Sequence, residues 1–513
     1  LALSINFKSC NVTKKDPSYG FQVSGYSGSG ITGNSVTGCQ VPVTGKNSGW
    51  PQPTLVSLLP FMCALSKNTA FQVELSYRQI IKMATPISFA ILIPQINFVT
   101  NNIFLGHFNK QSLAIAGITG VYYLIFSAIG YGLNNGLQAL IARRAGENRP
   151  EEIGKLFGQA VFIGLFISLL GILITYTVTP QLFGYFINDA DRLQQAISFC
   201  RIRIWGLPFL FVYQMRNALL VGTNQSRYLV GGAIAEAATN IVLDYLLIFG
   251  HGGFPQMGLN GAAVASIIAE IVGLLVVYMV IWQKGISSDL HLFKNFRWDG
   301  YNSRLILSMS APLIFQHGIS LLSWEYFFLL IDAYGDIALA VSNTMRNILG
   351  MAGIVTWAFG STTNAMVSNI IGQGRQDQIG VLISKILRLS VGSALVIVIL
   401  INLFPSFLFH MYGQSGEFVE QAVPVVRVLS VAILIMSFAV VYLNAVTGSG
   451  NSRVSLLIEM FALLFYCVYI YLALGKFFLS ITYGWMSEWL YWACLFLPSF
   501  LYIRSNKWKN KVI

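Results

Sequence analysis

From Tyr77 onward the chain repeats one cycle, a long apolar run followed by a short polar break. Each run reaches the roughly 20 residues that a helix needs to cross about 30 Å of hydrocarbon. About twelve such segments are expected, at approximately 77–105, 112–142, 153–183, 193–222, 228–250, 258–283, 304–332, 337–371, 378–410, 419–448, 454–474 and 485–503. Charged residues are 10% of the chain, against roughly 25% in soluble domains. The expected fold class is therefore an all-α integral membrane protein embedded in a lipid bilayer.

The net charge of +12 is a topology signal in such a chain and does not point to nucleic acid. Arg143, Arg144, Arg149, Lys155, Arg227, Lys284, Lys294, Arg297, Arg304, Arg375 and Arg453 fall in alternate connections, and Arg504, Lys507, Lys509 and Lys511 in the tail. The intervening connections are poorer in Lys and Arg, so the positive-inside rule puts both ends of the helical region in the cytoplasm of a plasma (inner) membrane.

A single offset of 226 residues relates the two halves of the helical region. Met83-Ala-Thr-Pro86-Ile-Ser-Phe89 recurs as Met309-Ser-Ala-Pro312-Leu-Ile-Phe315, and the same offset carries Gly146 onto Gly372, Arg201 onto Arg427, Gly222 onto Gly448 and Ser226-Arg227 onto Ser452-Arg453. Six helices in each half make a parallel repeat of two lobes with a cleft between them. The expected organisation is an N-lobe over 62–284, a cytoplasmic linker over 285–303, and a C-lobe with a basic tail over 304–513. Residues 1–61, rich in Gly, Ser, Thr and Asn, read as a disordered and dispensable extension that is not native coding sequence, with Met62 as a natural start.

Within the apolar run Tyr228 to Phe249, Glu236, Asn240 and Asp244 are spaced by four and share one helical stripe. A carboxylate at mid-bilayer costs roughly 2.5–3.5 kcal/mol on insertion scales, so the stripe is expected to face a cavity, a cation or a proton. Arg216, Arg346 and Arg388 lie deep in apolar runs, where pairing with buried acids is expected, Arg216 with Glu236 or Glu270. Asn134, Asn135 and Gln138, with Thr362, Thr363 and Asn364 in the other half, suit either a cleft lining or hydrogen bonds between helices. Trp485, Trp489, Tyr491 and Trp492 read as an interfacial belt. Cys10, Cys39, Cys63, Cys200, Cys467 and Cys494 are scattered without a CxxC pair, which indicates neither a disulfide framework nor a zinc site. Neither GxxxxGK[ST] nor HExxH is present, so an enzyme is not expected, no cofactor is implied, and transport is expected to run on an ion gradient.

After about residue 72 the chain resembles the multidrug and toxic compound extrusion (MATE) family. The carriers are Pro86 with Phe104-Leu-Gly106, Gly136-Leu-Gln-Ala-Leu-Ile-Ala-Arg143-Arg-Ala-Gly146, Gly222-Thr-Asn-Gln-Ser-Arg227, Asn240-Ile-Val-Leu-Asp244-Tyr-Leu-Leu-Ile-Phe-Gly250, and Gly258-Leu-Asn-Gly261-Ala-Ala-Val-Ala-Ser266. The resemblance implies a Na+ or proton site in the N-lobe. Its fifth-helix pair falls on Asn240 and Asp244, its sixth-helix hydroxyl on Ser266, and its first-helix aspartate on Asn101, which carries no charge. Glu236 and Glu270 add charge to the same faces by helical spacing. In the C-lobe, positions where some members carry acids read Ser320 and Met436, and Glu325 with His317 is a secondary candidate pair. The implied activity is export of amphipathic, usually cationic organic compounds by a monomer in exchange for Na+ or H+. The alternative, a lipid-linked sugar flippase, needs a cationic cavity, for which the three deep arginines are the candidates.

Overall fold

The computed structural model describes residues 71–510 apart from 293, 295, 296, 404, 406–408 and 410–415. The extension over 1–61 and the start at Met62 lie outside the described residues. Among the described residues twelve long helical segments follow one another: α1 (Tyr77–Phe108), α2 (Lys110–Gly146), α3 (Pro150–Thr177), α4 (Ala190–Gly222), α5 (Ser226–Phe249), α6 (Leu259–Gln283), α7 (Gly300–Asp332), α8 (Asp336–Gly372), α9 (Gln376–Leu403), α10 (Glu417–Gly448), α11 (Ser452–Lys476) and α12 (Ser487–Arg504). Lipid offers no partner to backbone N–H and C=O groups, and helices satisfy them internally.

The repeat is visible in the helix ends. Both α2 and α8, and both α3 and α9, begin and end 226 residues apart, as do the starts of α5 and α11. Ten of the twelve are long and apolar enough to span by composition alone; α8 and α12 are the others. In α8 the polar residues face protein: Thr362, Thr363, Asn364, Ser368 and Asn369 are all buried. Two expected spans are interrupted. The third ends at Thr177 and a short helix, Thr179–Phe186, follows; α4 contains a 3-10 turn at Ile204–Gly206, ahead of Pro208.

Local capping fixes the connections. Asn109 alone joins α1 to α2, its N–H donating to the Leu105 carbonyl while its side chain accepts from the Gln111 N–H. Asp299 caps α7 by accepting from Tyr301 and Asn302; the Asn302 N–H above all holds its carboxyl below the usual carboxylate range. Gln159, buried on α3, ties down the joint between the halves: it donates to the Arg297 carbonyl at 2.6 Å and accepts from the Asp299 N–H at 2.9 Å and the Ser303 hydroxyl at 3.1 Å.

A polar seam joins the halves. Gln138 and Ser361 bond each other twice, Asn364 donates to the Asn135 carbonyl at 3.0 Å, and Ser368 donates to the Ala139 carbonyl at 2.6 Å. Interhelical bonding thus accounts for Gln138 and Asn364. Farther along, Gly146 and Gly372 let the two backbones meet, because a Cβ on either would overlap a carbonyl of the other helix. The segment before α1 crosses to the second half, where Asn369 and Gln373 bond the Phe71 and Val73 backbone and Lys385 donates to the Leu75 carbonyl at 2.7 Å. Beginning at Asn135 and His317, every hydrogen bond between the halves among the described residues lies toward the end with the basic connections.

An even helix count in each half makes a direct prediction. Reporter fusions at Gly253 and Gly285, on either side of α6, should read opposite sides of the membrane, with Gly285 cytoplasmic. The same side at both positions would contradict the spanning of α6.

Candidate functional site

The N-terminal half holds two separate polar clusters. In the first, Asp244 on α5 is fully buried at 0% exposure, and neither carboxylate oxygen has a hydrogen-bond partner or an ion pair. Asn240, one turn earlier, is also buried and adjoins it. The Asn240 carbonyl oxygen accepts from Asn97 of α1 at 2.5 Å, while its own amide nitrogen is without a partner. The side-chain oxygens of Asn97 and Asn101 are likewise buried and unpartnered. A buried polar group left without a partner is costly, and here both Asp244 oxygens, the Asn240 amide nitrogen and the Asn97 side-chain oxygen are in that condition, as is the oxygen of Asn101 one turn beyond Asn97. Such a set can enclose a small cation, or hold a proton on the carboxyl. Ser266 lies half-buried on α6, and its hydroxyl makes no hydrogen bond among the described residues.

In the second cluster, Glu270 on α6 is paired by Arg203 through two contacts, 2.5 Å and 3.3 Å, with both side chains largely buried. The Arg203 guanidinium also lies 4.0 Å over the Tyr123 ring. This corrects the expected pairing with Arg216. Arg216 is fully buried, donates to Asn217 at 2.9 Å and lies 4.0 Å over Tyr213, with Nε and Nη1 unpartnered. Glu236 sits between the charges of Arg216, Arg203 and Glu270. Two glycines make room for it. A Cβ on Gly273 would lie 2.8 Å from the Glu236 Cβ, and one on Gly232 would lie 3.0 Å from the Arg216 guanidinium. Glu236 and Glu270 thus share a cluster with two arginines, whereas Asp244 has none.

The C-terminal half differs from the sequence expectation. Glu325 and His317 do not meet: Glu325 contacts Arg346 at 3.5 Å, and His317 accepts from the Asn135 amide at 3.2 Å. The buried acids of this lobe, among the described residues, are Glu459 on α11 and Glu488 on α12. Glu459 accepts from Ser320 and Tyr491 at 2.6 Å and from Gln316 at 3.2 Å. Ser320 is the position where an acid would be expected on α7, so the carboxylate arrives at it from α11. Glu488 accepts from Trp492 at 2.9 Å and lines a cavity of about 270 Å³ with Trp324, Trp357, Tyr466, Met436 and Tyr491. The tail aromatics therefore face inward instead of forming an interfacial belt. Trp485 is fully buried and donates to Ser342, and Trp489 donates to the Val428 carbonyl.

Asn97, Arg203, Glu459 and Glu488 are the residues that sequence reasoning missed. Asn97 stands one turn before Asn101, and the two glutamates are isolated acids in apolar runs, the same signal that marks Glu236 and Asp244. Arg203 carries no such mark. The deep arginines also fail to build a cationic cavity: Arg346 is paired, and Arg388 is exposed and donates to the Tyr77 hydroxyl at 3.1 Å.

Comparison with known proteins gives consistent findings. The family model MatE matches residues 86–246 and again 312–472, two stretches separated by the same 226 residues. The chain is similar to a probable multidrug resistance protein NorM of Thermotoga maritima, 20% identical over 450 residues that cover 85% of this chain and 94% of that protein. It is similar in fold to a MOP-superfamily transporter from Pyrococcus furiosus, with a TM-score of 0.78 at 16% identity over 86% of this chain and 97% of the other. It is also similar in fold to an outward-facing multidrug resistance MATE transporter, with a TM-score of 0.78 at 17% identity over 85% and 97% of the two chains.

Proposed function

The chain belongs to the MatE family, the multidrug and toxic compound extrusion transporters, and from that premise we propose that it exports amphipathic organic cations in exchange for Na+ or H+. The observation that carries the coupling is Asp244, a fully buried carboxylate with neither oxygen partnered, on a helix that packs Asn240 against Asn97 with one polar atom of each amide left unpartnered. A carboxylate in that setting needs a proton or a cation, and it has no arginine to take that place permanently. Glu270 has one, in Arg203, so its role is structural. Among the candidate ion-site residues, Asp244 is the one whose state changes in each cycle, and Asn240, Asn97 and Asn101 are the amides that can coordinate or hydrogen-bond what it holds.

The substrate's cationic group is assigned to the C-lobe cavity. Aromatic faces attract a desolvated ammonium, and Glu488 supplies the opposite charge. A volume of about 270 Å³ suits a small ammonium or the charged end of a larger amphipath. The bonds between the halves lie toward one end, which fits a resting state closed on the basic side and open on the other. Alternation between that state and its opposite would carry substrate across the plasma membrane, with both ends of the helical region cytoplasmic and the monomer as the working unit.

Glu488→Gln should weaken tetraethylammonium binding by on the order of tenfold, about 1.4 kcal/mol, with little effect on Na+ or proton uptake at Asp244. Equilibrium binding to purified protein checks this. Unchanged tetraethylammonium affinity would remove the cavity from the substrate path. The proposal as a whole is tested by whether an imposed Na+ or H+ gradient alone drives export of a cationic dye; no export under either gradient overturns it.

A further inference from the structure

A second cavity, of about 380 Å³, opens at the basic end of the N-terminal half. Three separate elements contribute a cation to it: Lys82 from α1, Arg227 from the first turn of α5, and Lys284 from just past the end of α6. One acid, Asp289, faces them, which leaves an excess of two positive charges. None of the three cations has an acid partner among the described residues. Nothing in the export mechanism uses this cavity, since the ion and substrate sites are acidic and lie within the helices.

The walls are fastened in place. Gln79 of α1 donates to Asn224 at 2.5 Å, and the Ser226 hydroxyl donates to the Met83 carbonyl at 3.2 Å, so α1 is held to the α4–α5 connection and to the start of α5. Arg227 is also fixed, because it donates to the Tyr228 hydroxyl at 2.6 Å and lies 4.6 Å over that ring. Gly285, at φ +71°, turns the chain after α6 in a conformation that an L side chain rarely adopts, and this brings Ile286 and Asp289 round as the remaining wall. Gln225 lines the same space with its side-chain oxygen unpartnered.

The repeat does not carry the same three charges. At the same offset, Lys82 corresponds to Ser308 and Lys284 to Asn510, and only Arg227 keeps its charge, as Arg453. Positive-inside topology accounts for basic residues on this face in general, but not for three cations without acid partners converging on one cavity. Its depth matches the ends of the spanning helices, where lipid headgroups lie, and basic pockets between helices at that level recognise anionic headgroups. Phe71 and Ile286 give it an apolar side as well.

We propose that this cavity binds a phosphate group, carried by an anionic lipid headgroup or as free phosphate, through Lys82, Arg227 and Lys284. The test uses full-length protein taken from vesicles of phosphatidylcholine and phosphatidylglycerol in equal amounts, with retained lipid read by native mass spectrometry. The wild type should retain phosphatidylglycerol in preference to phosphatidylcholine. The double variant Lys82→Gln, Lys284→Gln should lower that retention by on the order of tenfold, Asp289→Asn should raise it, and Arg453→Gln should leave it unchanged. Lys82 and Lys284 are exposed, and an unaltered size-exclusion profile confirms that the double variant is folded. Displacement of the lipid by excess inorganic phosphate supports the site with free phosphate as a sufficient ligand; persistence supports it with the lipid as the ligand. A wild type without preference for phosphatidylglycerol, or a folded double variant that retains it like the wild type, would overturn the proposal.

Discussion

Asp244→Asn is expected to lower gradient-driven export by on the order of a hundredfold or more, equivalent to about 2.7 kcal/mol, while the protein stays folded in the membrane. Asparagine nearly matches the shape of aspartate but can neither hold the proton nor supply the charge. The Asp244 oxygens have no partner in hydrogen-bond geometry, and the Asn240 amide beside them can face the carbonyl of an asparagine equally well, so the substitution leaves no neighbour stranded. It also relieves the cost of desolvating a carboxylate, so thermal stability should be equal to or higher than that of the wild type. Lost transport with retained stability separates a coupling group from a packing group. A variant that transports at the wild-type rate under the same gradient would move the coupling site to the C-lobe acids, Glu459 and Glu488.

The second large effect concerns stability. Arg203→Ala leaves Glu270 buried without its partner, and breaking a buried pair in this way costs roughly 3–5 kcal/mol. The loss should be seen as a markedly lower unfolding temperature in detergent. Arg203→Lys should recover only part of it, because lysine cannot reproduce the two-point contact or lie as a plane over Tyr123. Replacing both Arg203 and Glu270 with methionine should restore most of the stability, since the penalty comes from the orphaned charge more than from the lost attraction. If Arg203→Ala is as stable as the wild type, the pair is not what holds α4 to α6.

These two residues also mark how far the sequence can be read. Asp244 was legible because an acid in a long apolar run has few places to go, and the spacing of four joined it to Asn240. The helices and their pairing were legible for a similar reason: apolar runs of spanning length and one constant offset are both local, countable features. Arg203 was not. It sits in the polar stretch Ala190–Arg203, where basic and acidic residues are common, and nothing in its spacing singles out Glu270, 67 residues away. Its role follows from the crossing of α4 with α6, and from the Tyr123 ring brought in by α2. Arg216, the more isolated cation in the sequence, drew the expected pairing for that reason.

Glu459 and Glu488 make the complementary point. Both carry the isolated-acid signal, yet the family pattern draws attention to positions 320 and 436 on α7 and α10. Ser320 and Met436 do face the C-lobe interior, but the charge enters it from α11 and α12. A motif specifies a place in space through particular helices, and a chain can fill that place from a neighbouring helix at little steric cost.

On the mechanism we propose, Asp244 carries the ion whose movement drives export. The most direct test is to follow a cationic dye and the coupling ion in the same vesicles, without ATP, for the wild type and Asp244→Asn. The wild type should move the ion, Na+ or H+, inward in fixed proportion to dye leaving, and the variant should lose both fluxes together. Dye export by the wild type without ion movement, or coupled exchange by Asp244→Asn at the wild-type rate, would contradict coupling through Asp244.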